Sequence, residues 1–168
     1  MMENSADAGT RVCSFPPSAD GGARILILGS MPGVESLRMQ QYYAFRHNVF
    51  WRIMGEIWSF APQLPYAERL AALRAHGVAL WDVLADCERA GSLDTAIARP
   101  APNDIPGLLR QCPAIGKICC NGGASGRYLK RFFPDLGVPI VVLPSTSPAA
   151  ARWRYAEKLA AYREALLG

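Results

Sequence analysis

The sequence predicts an α/β fold, a three-layer α/β/α sandwich around a central four-stranded parallel sheet. Four short apolar runs carry this reading: residues 24–29 (RILILG), 78–84 (VALWDVL), 114–122 (AIGKICCNG) and 138–144 (VPIVVLP). None alternates cleanly between apolar and polar, as expected of strands covered on both faces. Helical patterns separate them, and strand alternating with helix gives a parallel sheet with helices on both sides. In such sheets ligands bind beyond the carboxyl ends of the strands.

Taken in order, residues 1–22 read as a polar, Pro- and Gly-bearing lead-in, partly flexible, before a single domain over residues 23–168. The first strand stops in a Gly29-Ser30-Met31-Pro32-Gly33 turn. A loop follows with Tyr42, Tyr43, Phe45 and His47 interleaved with Arg38 and Arg46, then a helix with Phe50, Ile53, Met54, Ile57 and Trp58 at helical spacing. Residues 66–77 (YAERLAALRAHG) form a helix that Gly77 stops. After the second strand and its Trp81-Asp82 end comes the third, which ends in Asn121-Gly122-Gly123 and leads into a helix over residues 125–133. The fourth strand ends in Ser145-Thr146-Ser147. Ser147-Pro148 then reads as N-cap and first helical position of a last helix, with Tyr155, Leu159, Tyr162 and Leu166 on one face.

Bulk properties narrow the function classes. An apolar fraction of 51% over 168 residues describes a globular chain with a real core, and no run reaches the eighteen apolar residues of a membrane span. The N-terminal residues show no basic start followed by an apolar stretch, unlike a secretion signal. Five cysteines without a C-x-x-C pair, of which Cys119 and Cys120 sit in an apolar run where buried thiols are common, suit a reducing cytoplasm, and two histidines make a metal site unexpected. Residues 105–168 carry nine Lys or Arg against three acids, whereas residues 1–104 carry nine against eleven. A basic half rich in Arg suits a polyanionic partner, nucleic acid first.

The turns carry the chemistry. GSMPG lacks the spacing and lysine of a phosphate-binding P-loop, but Gly29 and Gly33 let the backbone pass close to a ligand. The aromatic and arginine residues that follow suit stacking on a base and holding its phosphates. Asn48 stands at a helix entry, where capping is its simplest role. The hydroxyl-rich turn Ser145, Thr146, Ser147, with Arg152 beyond it, can grip a DNA phosphate.

In this order the motifs resemble the uracil-DNA glycosylase superfamily, and within it the hypoxanthine (deoxyinosine) DNA glycosylase branch. The matching segments are Gly29-Ser30-Met31-Pro32-Gly33, Ser36-Leu37, Tyr42-Tyr43, Asn48-Val49-Phe50-Trp51, Leu80-Trp81-Asp82-Val83, Asn121-Gly122 and residues 143–148 (LPSTSP). The likeness runs from about residue 12 to the C-terminus. It implies a monofunctional enzyme without cofactor that flips a deaminated base, chiefly hypoxanthine, out of DNA. Hydrolysis of its N-glycosidic bond leaves an abasic site for base excision repair, and a monomer suffices. The resemblance makes Asn48 the candidate for orienting the attacking water, with Ser30, the loop amides of Gly29, Met31 and Gly33, and the Pro32 ring lining the pocket. Tyr43 or Phe50 would stack on the base, Asn121 or Asp82 would read its edge, and Ser145, Thr146 and Ser147 would pinch the DNA backbone.

Two departures from the superfamily pattern stand out. Most members place Asp, Glu or Asn in the first turn to position water, where this chain has Ser30 or Met31. Many place His at the start of the late motif to stabilise the departing base, where this chain has Leu143. The alternatives are a mismatch-specific uracil or thymine glycosylase and a lesion-binding module without catalysis.

Overall fold

The computed structural model describes residues 10–168. In chain order the elements are β1 (Arg11–Cys13), β2 (Ile25–Gly29), α1 (Val34–Met39), α2 (Phe50–Trp58), α3 (Tyr66–Ala75), β3 (Val78–Asp82) and β4 (Leu84–Glu88). They continue with β5 (Ala98–Pro102), α4 (Ile105–Gln111), β6 (Lys117–Asn121), α5 (Gly123–Phe132), β7 (Ile140–Leu143) and α6 (Tyr155–Leu167). The four anticipated strands pair in parallel in the order β3-β2-β6-β7.

Alternation of side chains across the strands builds two cores. Ile27, Val78, Leu80, Cys119 and Leu143 face one way, onto Phe50, Ile53 and Met54 of α2, Leu73 of α3 and Tyr162 of α6. Leu26, Leu28, Ala79, Ile118 and Cys120 face the other way, onto Ile105 and Leu108 of α4 and Leu129 of α5. Burying one such Leu or Ile side chain stabilises the fold by about 1.5–3 kcal/mol. Cys119 and Cys120 therefore lie on opposite faces of the sheet, and burial pushes both thiols up to about 11. None of the described helices is long and apolar enough to cross a membrane.

Besides helices α1 and α4, which the sequence expectations do not include, three features depart from them. A second, antiparallel sheet of order β1-β4-β5 flanks the second core, to which β4 contributes Leu84 and Cys87. It takes in part of the expected lead-in: Arg11–Cys13 pair with β4, Ser18 bridges to Leu80, and the buried Phe15 ring meets Tyr42 edge-on. The remainder of that lead-in, residues 1–9, lies outside the described residues. The last helix begins at Tyr155 rather than Pro148. Ser147 N–H bonds to Ser145 Oγ and Ala149 N–H to Ser147 Oγ, and Ala150 and Trp153 close three-residue turns onto Ser147 and Ala150. These local bonds compete with helix formation, so residues 148–154 run as successive turns.

Candidate active site

The register of the parallel sheet brings four strand ends to one edge. Gly29 is opposite Asp82, Cys120 pairs with Leu28 one step before Asn121 and Gly29, and Asn121 is opposite Leu143. Beyond this edge lies a cavity of about 710 Å³, bounded by the turns after β2, β6 and β7, the loop before α2, and residues 92–94. That volume is in the range of sites that enclose a small molecule.

The floor is built around Gly29. A Cβ there would sit 2.5 Å from Asp82 Oδ1 and 3.2 Å from the Tyr43 hydroxyl, so only glycine lets the two side chains converge over the strand end. Tyr43 has a left-handed backbone, φ +56°, rare outside glycine, and its ring stacks on Phe50 at 4.0 Å between centroids. The Tyr43 hydroxyl is buried and has no hydrogen-bond partner among the described residues. Burial first and the nearby Asp82 charge second raise its pKa and hold the phenol neutral.

Asp82 is 4% exposed, and its Oδ2 also has no hydrogen-bond partner among the described residues. Burial, reinforced by the like charge of Asp94, raises its pKa from 3.8 to about 7 against the opposing pull of Arg89. Arg89, itself buried, donates a hydrogen bond to the Pro32 carbonyl. Ser30 Oγ donates to Asp94 Oδ1 at 2.6 Å, and Val34 N–H donates to Ser92 Oγ at 2.8 Å. The segment before β5 is thereby fastened to the GSMPG turn.

Asn48 stands one residue before the N-cap of α2, which is Val49, and not at the cap itself; its Oδ1 accepts the Phe50 N–H at 3.0 Å. The same side chain lines the cavity, where that bond fixes its orientation. Next to it, Val49 N–H bonds to the Thr146 carbonyl at 3.1 Å, tying the N-V-F-W segment directly to the hydroxyl-rich turn. Thr146 is fully buried, and the Asn121 amide grips it twice: Nδ2 donates to Thr146 Oγ1 and Oδ1 accepts the Thr146 N–H, both at 2.9 Å. From behind, the buried Lys158 Nζ donates to the Ser147 carbonyl and the Tyr162 hydroxyl donates to the Pro144 carbonyl. Gly122, at φ +96°, has no room for a Cβ, which would lie 3.0 Å from Ser145 Cβ.

The structure thus gathers most of the sequence-named residues. Gly29, Ser30, Met31, Pro32, Gly33, Tyr43, Asn48, Asp82, Asn121, Ser145, Thr146 and Ser147 all line one cavity. Phe50 does not; it is fully buried and backs Tyr43, which lines the cavity together with Tyr42 and Phe45. Arg152 is outside the lining, its guanidinium over the Trp153 ring. Asn121 spends both amide atoms on Thr146 and so positions the turn. Leu143, at the start of the late motif, is core. Asp94, Ser92, Phe45 and Arg127 line the cavity without having been singled out as site residues; Phe45 alone had a signal, its place in the aromatic cluster.

The charge of the cavity differs from that of the C-terminal half. Among the described residues its lining has one cation, Arg127, and three carboxyl groups, Glu35, Asp82 and Asp94. Glu35 is paired with Arg38 and burial holds the Asp82 carboxyl toward its protonated form, so the wall carries little net charge, which suits a neutral nucleobase.

Comparison with known proteins agrees with this geometry. The family model for the uracil DNA glycosylase superfamily matches residues 16–167. A Methanosarcina acetivorans protein named hypoxanthine DNA glycosylase is 39% identical over 140 residues, 83% of this chain and 88% of its own. A Methanosarcina barkeri protein of the same name is 37% identical over 139 residues, 82% and 87% of the two chains. A solution NMR structure from Methanosarcina acetivorans, described as a uracil DNA glycosylase, superposes with a TM-score of 0.81 at 34% identity, covering 95% of this chain and all of that one. The chain belongs to the uracil DNA glycosylase superfamily.

Proposed function

We propose that this DNA glycosylase excises hypoxanthine from deaminated DNA, acting as a cytoplasmic monomer and leaving an abasic site. The observation that carries the reading is the cavity beyond the strand ends: it is roomy enough for a flipped base, with Tyr42, Tyr43 and Phe45 as aromatic lining, Asn48 on its wall and more carboxyl groups than cations around it. A base flipped into it leaves the negative phosphates outside, beside the Ser145–Ser147 turn and Arg127. Flipping costs a few kcal/mol, least at a mispaired base such as deaminated adenine.

In this reading Asn48, held by its bond to Phe50 N–H, presents its amide to the attacking water at the sugar C1′. Tyr43 stacks on the purine. The turn at Ser145, Thr146 and Ser147 offers backbone amides and hydroxyls to the DNA backbone, braced by Asn121, Lys158 and Tyr162. Ser30 is committed to Asp94, so it shapes the loop and leaves water activation to Asn48. The names of the Methanosarcina relatives support hypoxanthine as the base. The test is chromatographic detection of free hypoxanthine from a duplex carrying deoxyinosine, matched to an equal yield of abasic sites. A duplex left intact by excess enzyme would refute the proposal.

A further inference from the structure

The start of the late motif offers the departing base no side-chain donor, because Leu143 there is core. Asp82 supplies a different solution from another strand. It stands at the carboxyl end of β3, in register with Gly29, and its side chain lines the cavity. Its main-chain carbonyl is fixed by Asn103 Nδ2 at 2.8 Å. Oδ2 is buried without a hydrogen-bond partner among the described residues, and no ion pair holds either oxygen there.

The groups around Asp82 come from several elements. Asp94 contributes a like charge from the segment before β5, Arg89 an opposing charge from beyond β4, and Tyr43, Tyr42 and Tyr66 present phenols whose pKa values are all raised, burial being the largest cause. Arg89 is bonded to the Pro32 carbonyl rather than to Asp82. Among the described residues, a carboxylate here would leave its buried Oδ2 without a donor and would have no paired cation. A carboxylic acid has one proton to give and a ligand cavity to give it into.

We propose that Asp82 is a catalytic acid, and that its carboxyl proton passes to a ring nitrogen of the departing hypoxanthine. This rests on the hypoxanthine reading above. Water oxygen bonds to C1′ as the C1′–N9 bond breaks, and the electron pair stays on the base. The Asp82 proton neutralises that base, and the proton released by the attacking water returns through solvent to the Asp82 carboxylate. The base therefore leaves neutral, and the enzyme ends as it began.

The test is the pH dependence of single-turnover cleavage of a deoxyinosine duplex by the full chain, from pH 5.5 to 9. The wild-type rate constant should be level below about pH 7 and fall about tenfold per unit above it. Asp82→Asn should cut the rate at pH 6 by about 10²-fold and abolish the falling limb. Its affinity for a duplex carrying the non-hydrolysable 2′-fluoro analogue should stay within about threefold of wild type, since only the transition state needs the proton. Asp94→Asn removes the like charge and should move the falling limb to lower pH, a shift that a structural role for Asp82 would not produce. A level wild-type profile, a falling limb that survives Asp82→Asn, or a wild-type rate in that variant at pH 6 would overturn the proposal while hypoxanthine release stood. Absence of hypoxanthine release by wild type at every pH would overturn the functional reading itself and this proposal with it.

Discussion

The Asp82 environment makes a prediction about stability that is separate from catalysis. A carboxyl raised from 3.8 to about 7 binds its proton in the folded state after the unfolded chain has released it. Stability is therefore fully present below pH 4, declines as pH rises toward 7, and is level above that. Each pKa step of one is worth about 1.4 kcal/mol, so keeping Asp82 buried costs the wild type about 4 kcal/mol at pH 8 relative to pH below 4. Asp82→Asn fills the same volume without the ionisation. Its stability relative to wild type should rise by about 3 kcal/mol between pH 5 and pH 8, equivalent to roughly 6–12 °C in Tm for a chain of this size. Urea unfolding followed by tryptophan fluorescence at the two pH values measures it directly. A stability difference that does not change with pH would refute the raised pKa and the burial argument behind it.

Other substitutions probe the rest of the site. Asn48→Ala should lose the hydrogen bond to the Phe50 N–H, about 1 kcal/mol, yet reduce single-turnover cleavage by about 10²–10³-fold at a temperature where it is fully folded; full activity would refute the water-orienting role. Gly29→Ala places a methyl group 2.5 Å from Asp82 Oδ1 and should destabilise by about 1–3 kcal/mol with loss of cleavage; a wild-type Tm and rate would contradict the convergence over the strand end. Asn121→Leu leaves the buried Thr146 N–H without its acceptor and should cost about 2–3 kcal/mol in urea unfolding, with weaker DNA binding as the turn loosens. Arg127→Ala should weaken DNA binding and reduce the salt dependence of log K by about one phosphate contact, which fluorescence anisotropy across a salt series reads out.

The parallel sheet was legible because each strand is a short, nearly unbroken apolar run ending in small polar residues, and register then carries those ends to one edge. The antiparallel sheet was not. Arg11–Cys13 spans three residues, and β5 reads A-R-P-A-P, whose two prolines argue against a strand unless it is an edge. β5 is an edge strand in the order β1-β4-β5, which is what makes those prolines tolerable. Helix α4 carries a local signal in the sequence: Asp104 caps it by accepting the Gly107 N–H, with a proline in its first turn.

At the site, Ser30, Tyr43 and Asn48 were readable from their motifs. Their working partners were not, because the contacts are remote in sequence. Asp94 reaches Ser30 across 64 residues, and Asn121 reaches Thr146 across 25. Phe50 looked like a stacking residue because it neighbours Asn48, yet the first turn of α2 turns it into the core, where it supports Tyr43 instead. Side-chain periodicity tells which residues are buried but not which of two adjacent aromatics faces a ligand. The carboxyl groups of the cavity, Glu35, Asp82 and Asp94 from three different segments, were hidden beneath the basic balance of the C-terminal half.

The most direct test of the functional account is a single-turnover comparison of duplexes identical except for deoxyinosine, deoxyuridine or deoxyxanthosine at one position, with alkali to reveal abasic sites. The account predicts the largest rate constant on deoxyinosine. Cleavage confined to deoxyuridine, or tight salt-sensitive binding with no base released from any of the three, would contradict it.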